Sequence, residues 1–313
     1  MKNFVIVIVG PTGCGKTALS IEVAKFFDGE IISGDSMQIY KELNIGSAKV
    51  TKEEMQGIPH HLIDIRSAKD EFSAGEFTKL TNLAISKIRN NDKLPIIVGG
   101  TGLFIQGIIE GYSYSSCPRQ QQFRDECKRI ASTEGVSSLY KRLQELNPSV
   151  SSKISENDEK RIIRALEIQT FSLDQPIKKE PGKEYIVIGL NMDRAKLYNN
   201  INLRVEKMMQ NGLLDEVQNL YESGIDENYQ AMKGIGYKEF IPYFKGESSL
   251  EECVELVKQH TRNYAKRQLT WFRRMDYITW FEPTEHKKII DYIKRKMYEN
   301  NNWALWRKLN RPI

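Results

Sequence analysis

Long apolar runs are missing from the sequence, and this absence excludes one class of protein. No run approaches the ~18 consecutive apolar residues that a membrane-spanning helix needs. The first three residues, Met1, Lys2 and Asn3, lead at once into a predicted strand rather than into a signal peptide. We therefore expect a soluble, cytoplasmic protein that has no membrane partner.

The sequence also has few cysteines and only a small net charge. The chain has four cysteines in 313 residues, far apart and without Cys-x-x-Cys spacing, which argues against a disulfide framework or a zinc site. The formal net charge of +5 favours acidic partners only weakly, so the positions of the basic residues matter more. With 40% hydrophobic residues, the chain can bury the core of one large domain or two.

The apolar run from Phe4 to Val9 leads directly into Gly-Pro-Thr-Gly-Cys-Gly-Lys-Thr at 10–17. This spacing matches the P-loop, whose glycines let successive backbone N–H groups point at phosphate oxygens. The helix that follows directs its positive N-terminal end at the same anion. Lys16 is then expected to meet phosphate charge, and the Thr17 hydroxyl to ligate Mg2+. The predicted phosphate-binding residues of the loop are Gly10, Thr12, Gly13, Cys14, Gly15, Lys16 and Thr17.

Polar side chains follow a second predicted strand, 30–33. Asp35 could accept a proton from a nucleophile, and Ser36 and Gln38 offer hydrogen bonds of the kind that read a base edge. Asp35 could equally cap a turn or hold Mg2+ through water. This stretch alone leaves both interpretations open.

A third predicted strand, 94–98, ends in Gly-Gly-Thr-Gly. It lacks the aspartate that P-loop ATPases and GTPases usually place there to hold Mg2+. The glycines permit close approach of a ligand to which Thr101 can donate, although an ordinary turn before a helix has the same pattern. Because the P-loop, Asp35 and Thr101 all follow predicted parallel strands, we expect them to line one crevice.

Three segments carry basic residues whose partners are not local. Arg204 has no acidic residue three or four positions away, so it either meets a carboxylate across the fold or faces the phosphate crevice. The segment 258–274 has six basic residues and no acidic one, interleaved with aromatics, which is typical of a helix that contacts nucleic acid. The helix that begins near residue 159 carries Lys160, Arg161 and Arg164 on one face. For both helices, a merely solvated basic face is the alternative.

Together these motifs resemble the tRNA dimethylallyltransferase family, and the resemblance extends along nearly the whole chain. Each motif is common, but the ordered set is specific. Three positions depart from the usual pattern: Ser47 replaces threonine, Phe104 replaces tyrosine, and Asn200 stands where many members carry arginine. The set comprises G-P-T-G-x-G-K-T at 10–17, D-S-x-Q-x-Y at 35–40, I-G-x-A-K at 45–49, H-H-L-I-D at 60–64, V-G-G-T-G-L at 98–103, R-x-x-R-A-L-E at 161–167, I-G-Y-K-E at 235–239 and Y-A-K-R-Q-x-T-W-F-R at 264–273.

The resemblance implies an α/β fold in which a P-loop NTPase-like parallel sheet is flanked by helices and carries a small all-helical insertion domain. The catalytic core would comprise residues 1–116 and 155–313, including the basic C-terminal helices. The insertion, residues 117–154, would grip the anticodon stem-loop of tRNA. The chain resembles the compact bacterial form of the family, and we expect a monomer.

The resemblance also implies a reaction: transfer of a dimethylallyl group from dimethylallyl diphosphate to N6 of the adenosine 3′ of the tRNA anticodon, with Mg2+ as cofactor. Asp35 would be the general base, while Lys16, Thr101, Arg204 and the P-loop would stabilise the departing diphosphate. Mg2+ would be ligated by Thr17. The implied tRNA-binding residues are Asp35, Ser36, Met37, Gln38, Thr101, Phe123, Lys160, Arg161, Ile162, Ile163, Arg164, Lys258, Arg262, Lys266 and Arg267.

Three alternatives remain open from the sequence. A P-loop small-molecule kinase would also bind phosphates, with the insertion as its lid. A relative that prenylates free AMP or ATP would share the donor site, although the basic helix and the insertion argue against so small an acceptor. A non-catalytic RNA-binding protein with a vestigial P-loop would not need Lys16, Thr17 and Asp35 intact. Which tRNAs are modified is not evident from the sequence.

Overall fold

The computed structural model describes residues 4–112, 114, 117, 119–171 and 184–299. The chain divides into two compact units. The core unit comprises Met1–Gly111 and Glu180–Ile313, and the helical unit comprises Tyr112–Lys179. The helical unit is longer than the predicted insertion, 117–154, because the helix that follows the insertion packs with it. The predicted junction at residue 116 and the segments 172–183 and 300–313 lie outside the described residues.

A parallel sheet forms the centre of the core unit, in the strand order β3-β2-β4-β1-β5-β6. Strands β1, β2 and β4 confirm the three strands predicted above, and β5 is formed by the apolar run at 185–190, which also predicts a strand. The short edge strands β3 and β6 carry no such run. The strands of the described residues are β1 (Phe4–Val9), β2 (Gly29–Ser33), β3 (His60–His61), β4 (Leu94–Gly99), β5 (Glu184–Leu190) and β6 (Thr279–Phe281).

Helices cover both faces of this sheet, so the fold is the expected mixed α/β class. In the first half of the core unit they are α1 (Lys16–Phe27), α2 (Lys52–Met55), α3 (Ala74–Asn90) and α4 (Gly102–Ile109). The helical unit contains α5 (Gln121–Glu134), α6 (Val136–Leu146), α7 (Pro148–Ser151) and α8 (Glu159–Phe171). The core unit continues with α9 (Arg194–Gln210), α10 (Leu213–Glu222), α11 (Ile241–Phe244), α12 (Leu250–Phe272) and α13 (His286–Glu299), with 3-10 turns at Ala231–Lys233 and Lys238–Phe240.

Strand β1 shows why the sheet lies at the centre. All six of its residues are buried, and successive side chains point to opposite faces. Val5, Val7 and Val9 therefore join one hydrophobic core, while Ile6 and Ile8 join the other. A strand that is buried on both faces needs a continuous apolar sequence, which is the pattern that predicted it.

Capping explains where helix α3 begins. The Ser73 side chain accepts a hydrogen bond from the backbone N–H of Glu76, and the Glu76 carboxylate accepts one from the backbone N–H of Ser73. This reciprocal arrangement satisfies two N–H groups that would otherwise lack partners in the first turn. The Ser-x-x-Glu pattern at 73–76 predicts a helix start at this point, and the structure confirms it.

The helical unit has its own hydrophobic core. Cys127 of α5, Leu139 and Leu143 of α6 and Ile162 and Leu166 of α8 pack together in it. Helix α8 buries this apolar face against α5 and α6, which is why the unit extends beyond residue 154.

No helix in the described part of the chain is long and apolar enough to span a membrane.

A buried carboxylate joins two helices of this unit. Glu167 of α8 is fully buried, and its oxygens accept hydrogen bonds from the guanidinium groups of Arg124 and Arg164 and from the backbone N–H of Gln120. Burial raises the pKa of Glu167, but these hydrogen bonds outweigh burial and bring the pKa down to about 2. The carboxylate is therefore charged throughout the neutral and mildly acidic range.

Acid is expected to loosen the helical unit through Glu167. Because the folded-state pKa lies below the ordinary value of 4.5, the stabilisation is complete above about pH 4.5 and is lost as the pH falls toward about 2. The shift corresponds to at most about 3 kcal/mol. Hydrogen exchange in α5–α8, corrected for intrinsic rates, should accelerate over this range in the wild type.

Two variants test the assignment of this pH dependence. Glu167→Gln should flatten it, because an amide does not titrate. Glu126→Gln is the matched control, since that glutamate pairs with Arg129 on the exposed face of α5. If the Glu167→Gln protein loosens with the same pH profile as the wild type, another carboxylate is responsible.

Candidate active site

The P-loop lies between β1 and α1 at the carboxyl edge of the sheet. Gly13 and Gly15 have φ angles of 82° and 90°, in the region that favours glycine. A Cβ on Gly10 would lie 2.8 Å from the carbonyl oxygen of Leu190 and 2.9 Å from the Sγ of Cys14. The glycines are therefore required by the backbone conformation and by close packing, as the motif predicts.

Lys16 is folded over this loop. Its Nζ donates to the carbonyl oxygens of Gly10, at 3.0 Å, and Pro11, at 2.7 Å. Burial is the main cause that lowers the pKa of the Lys16 ammonium, and the positive charge of Arg204 lowers it further. An anion in the loop would strengthen the charged form of Lys16, since opposite charge favours ionisation.

The loops after β2 and β4 are tied to each other. The backbone N–H of Ser36 donates to Oγ1 of Thr101 at 3.2 Å, and Thr101 Oγ1 lies 3.4 Å from the Ser36 hydroxyl. A Cβ on Gly99 would lie 2.3 Å from the carbonyl oxygen of Gly34, so only glycine allows this approach. The structure thus brings together the two strand ends that the sequence placed at one crevice.

Asp35 lies in the loop after β2, and one oxygen of its carboxylate accepts a hydrogen bond within that loop. Its Oδ1 accepts a hydrogen bond from the backbone N–H of Met37 at 2.8 Å, which fixes the orientation of the carboxylate. The side chain is partly buried and lines the cavity described below. Asp35 therefore does form a local turn bond, as one interpretation of the sequence held, and it also presents a carboxylate to the cavity.

Helix α9 contributes Asn200 and Arg204 to the lining of the same cavity. Burial lowers the pKa of the Arg204 guanidinium, and the carboxylates of Asp35 and Glu54 offset this only in part. Within the described residues, Arg204 makes no hydrogen bond or ion pair to another side chain. Asn200 donates from Nδ2 to the carbonyl oxygen of Gly13 at 3.4 Å, so it contacts the P-loop without adding charge.

Helix α12 places two residues here that the sequence analysis did not assign to the site. Burial, followed by the Asp35 carboxylate, raises the pKa of Tyr264 to about 12, so the phenol stays protonated beside Thr101 and Gln268. Gln268 is buried and bonds to both the P-loop and Gly100. Their spacing of four residues puts both on one face of a helix, but nothing in the sequence shows that this face meets the strand ends.

The Gln38 side chain, which the sequence predicts to read a base edge, forms its hydrogen bonds within the protein. Its Oε1 accepts from the Ser33 hydroxyl at 2.9 Å, and its Nε2 lies 3.3 Å from the carbonyl oxygen of Ala48. The amide thus connects the end of β2 to the loop 44–49. It lines the cavity while its hydrogen-bonding groups are occupied within the protein.

A network of hydrogen bonds holds the same loop in place. The Glu216 carboxylate of α10 accepts the backbone N–H groups of Asn44, Ile45 and Gly46, and it also accepts the Tyr237 hydroxyl at 2.8 Å. A Cβ on Gly46 would lie 2.6 Å from the Tyr237 ring. Sequence reasoning missed Glu216, because a single glutamate on an amphipathic helix usually faces solvent.

The basic residues of α12 divide into paired and exposed groups. Lys258 is paired with Glu206, at 3.0 Å, and with Glu255, at 2.8 Å, so its charge is compensated locally. Arg262 donates to the side-chain oxygen of Asn202. The basic and aromatic side chains of this helix that are exposed, and therefore accessible to a polyanion, are Lys266, Arg267 and Trp271.

The predicted tRNA-binding residues of the helical unit are also divided. Lys160 and Arg161 are exposed, whereas Arg164 is partly buried and forms an ion pair with Glu167. Ile162 and Ile163 are buried, 0% and 5% exposed, so their side chains support this surface rather than form part of it. In the same unit, Phe123 packs edge-on against Phe171, with ring centroids 5.2 Å apart. In the core unit, half-buried Met37 packs against Gly234.

A cavity of about 900 Å³ lies in the core unit. It is lined by residues of the P-loop, of the loops after β2 and β4, and of helices α9 and α12. Its size is that of a pocket for small ligands. Lys16 and Arg204 contribute positive charge to its lining, and Asp35 contributes a carboxylate. Other residues that line it include Thr12, Gly13, Gly15, Thr17, Gln38, Ser47, His60, Gly100, Asn200, Tyr264 and Gln268.

The surroundings of Thr17 fit a magnesium ion that is held mainly by a substrate. Thr17 is exposed in the first turn of α1 and lines the cavity. Across the described ranges, no three His, Cys, Asp or Glu side chains form a group that could hold a metal. Mg2+ commonly takes only one or two protein oxygens and completes its shell with phosphate and water.

Comparisons with known proteins agree with this arrangement. The profile of the IPP transferase family matches residues 38–275. A tRNA dimethylallyltransferase of Caldanaerobacter subterraneus is 46% identical over 310 residues, which cover 94% of this chain and 98% of that one. One from Bacillus anthracis is 48% identical over 310 residues and covers 96% and 98%.

Two solved structures are similar over nearly the whole chain. The full-length tRNA isopentenylpyrophosphate transferase from Bacillus halodurans has a TM-score of 0.74 and 39% identity, covering 95% of this chain and 98% of that one. A eukaryotic dimethylallyltransferase acting on tRNA has a TM-score of 0.80 and 29% identity, covering 100% and 81%. Both the sheet and the helices around it are therefore shared with these enzymes.

Proposed function

The chain belongs to the IPP transferase family and is a transferase, and from this membership we propose that it prenylates tRNA. It transfers a dimethylallyl group from dimethylallyl diphosphate to N6 of the adenosine 3′ of the anticodon. The observation that carries the proposal is the single cavity that joins a P-loop to Asp35. The P-loop offers a binding site for the diphosphate of the donor. Asp35 offers a carboxylate that can accept the proton that the acceptor amine must lose.

The reaction forms a bond between N6 and the allylic carbon and breaks the bond from that carbon to diphosphate oxygen. The lone pair of N6 is delocalised into the adenine ring, so the amine is a weak nucleophile until its proton leaves. Asp35 takes this proton as general base, with its carboxylate oriented by the Met37 amide. If the displacement is in line, N6 and the departing diphosphate oxygen lie on opposite sides of this carbon.

Negative charge accumulates on the departing diphosphate. The P-loop amides, Lys16 and Arg204 stabilise this charge in a partly buried cavity, where electrostatic interactions are stronger than in water. Mg2+, when bound with the Thr17 hydroxyl, supplies additional positive charge to the leaving group. The Thr101 hydroxyl accepts the Ser36 N–H and so holds the loop that carries Asp35.

The acceptor adenosine is part of a stacked anticodon loop, so it must be extruded to enter the cavity. Unstacking costs a few kcal/mol, which contacts in the pocket offset. Exposed Lys266 and Arg267 on α12, with Lys160 and Arg161 on α8, offer charge for the RNA backbone. A soluble monomer acting in the cytoplasm is part of this proposal.

The proposal is tested by transfer of labelled dimethylallyl groups to unmodified tRNA in the presence of Mg2+. Label should appear on tRNA and not on free AMP, and phosphate should not be released from ATP. Label on AMP alone would favour the prenyltransferase that acts on free nucleotides. Phosphate transfer from ATP without prenylation would favour the P-loop kinase.

A further inference from the structure

Gln268 bridges two loops that are far apart in the sequence. Its Oε1 accepts the backbone N–H of Thr12 at 2.9 Å, and its Nε2 donates to the carbonyl oxygen of Gly100 at 2.9 Å. The side chain is only 5% exposed. Both ends of one amide are therefore satisfied by backbone groups, one after β1 and one after β4.

The bridge also redirects one amide of the P-loop. The Thr12 N–H, which the motif assigned to phosphate, instead points to Gln268. This residue of the loop is thus anchored to α12, while the neighbouring glycines shape the cradle. An anchor of this kind fixes where the loop sits relative to the rest of the cavity.

The contact with Gly100 leaves no spare room. A Cβ on Gly100 would lie 2.2 Å from Nε2 of Gln268, well inside any real contact distance. The Gly100 backbone is therefore held against the amide, and the next residue is Thr101, which bonds to Ser36 beside Asp35. The chain of contacts thus runs from the P-loop, through Gln268, to the loop that carries the proposed base.

We propose that Gln268 is a positioning residue that fixes the spacing between the P-loop and the acceptor-side loops, a role that rests on the function proposed above. The donor diphosphate is held by one loop and the acceptor amine is deprotonated at the other. A displacement of about 1 Å between reacting groups can cost roughly 10²-fold in rate. Gln268 touches no reacting atom, so it acts through the two loops.

The test uses Gln268→Ala, Gly100→Ala and the double variant in the full chain. Gln268→Ala should raise the Kd for inorganic diphosphate about 10-fold and lower kcat by roughly 10- to 100-fold, with the Kd for tRNA within about 2-fold of wild type. Gly100→Ala should be at least as damaging, because its Cβ collides with the amide. In the double variant the new methyl has space, so activity should be no lower than in Gln268→Ala alone.

This non-additivity tests the contact between Gln268 and Gly100. A loss of kcat and of diphosphate affinity at an unchanged melting temperature is the readout that a merely structural role of Gln268 would not give. If the two losses multiply, or if Gln268→Ala has wild-type kcat and diphosphate affinity, the positioning role is wrong. Gln259→Ala is the matched control, since Gln259 is exposed on the same helix. Should Gly100→Ala fail to fold, recovery of folding in the double variant supports the same contact, and its absence counts against it.

Diphosphate binding separates this inference from the proposed function. Isothermal titration with inorganic diphosphate needs no prenyl transfer, so weaker binding by the Gln268 variant supports the anchor even if the wild type prenylates nothing. Conversely, wild-type prenylation with unchanged diphosphate binding in the variant would overturn the anchor alone.

Discussion

Asp35→Asn is expected to lower kcat for prenyl transfer by roughly 10²- to 10⁴-fold, the range over which general bases contribute. Asparagine keeps an oxygen that can accept the Met37 N–H, so the turn after β2 should retain its shape. What is lost is the capacity to take a proton from N6. The donor KM should therefore change little, because the P-loop is untouched.

Single-turnover rates with saturating tRNA and donor give the cleanest measurement, since they exclude product release. Asp276→Asn is the matched control, an exposed aspartate that does not line the cavity. Retention of near-wild-type rates by Asp35→Asn would mean that another group, or water, accepts the proton. A large rise in donor KM with unchanged kcat would instead place Asp35 in donor binding.

Most of the fold follows from the sequence because its signals are local. The continuous apolar run of β1 can be buried on both faces only in a sheet covered by helices, and the glycines of the P-loop require the angles that Gly13 and Gly15 adopt. The rule that loops after parallel strands meet at one edge then brought Asp35 and Thr101 together. Each step needed a few neighbouring residues only.

The supporting contacts could not be predicted in the same way. Gln268 and Thr12 are 256 residues apart, and Glu216 lies 170 residues from Gly46. No spacing or periodicity links such pairs, because their meeting depends on how whole helices pack. Gln268 is buried and Glu216 is partly buried, so a lack of hydrogen-bonding partners would be costly, and only the structure identifies those partners.

The pairing of the basic residues also depends on contacts that the local sequence does not show. Composition alone gave Lys258 and Lys266 the same role, yet the structure pairs Lys258 with two glutamates and leaves Lys266 exposed. One partner, Glu206, comes from a different helix and was invisible to a scan of the local sequence. Ile162 and Ile163 were likewise grouped with their charged neighbours although helical geometry turns them inward.

Arg204→Met is expected to separate stability from activity. The guanidinium is largely desolvated and, within the described residues, has no hydrogen-bonding or ion-pair partner, so the folded protein bears an electrostatic cost. Methionine fills similar space without that cost. The melting temperature should therefore stay the same or rise, whereas kcat should fall by roughly 10²- to 10³-fold through loss of leaving-group stabilisation.

The comparison that decides this prediction uses two further variants. Arg204→Lys keeps the charge but not the planar fork, so it should recover only part of the rate. Arg194→Met, at the exposed start of the same helix, should leave the rate unchanged. If Arg204→Met destabilises the protein and loses activity only in proportion to the unfolded fraction, the arginine is structural. A stable, inactive variant with weakened diphosphate binding would instead identify Arg204 as a cation held unpaired for the leaving group.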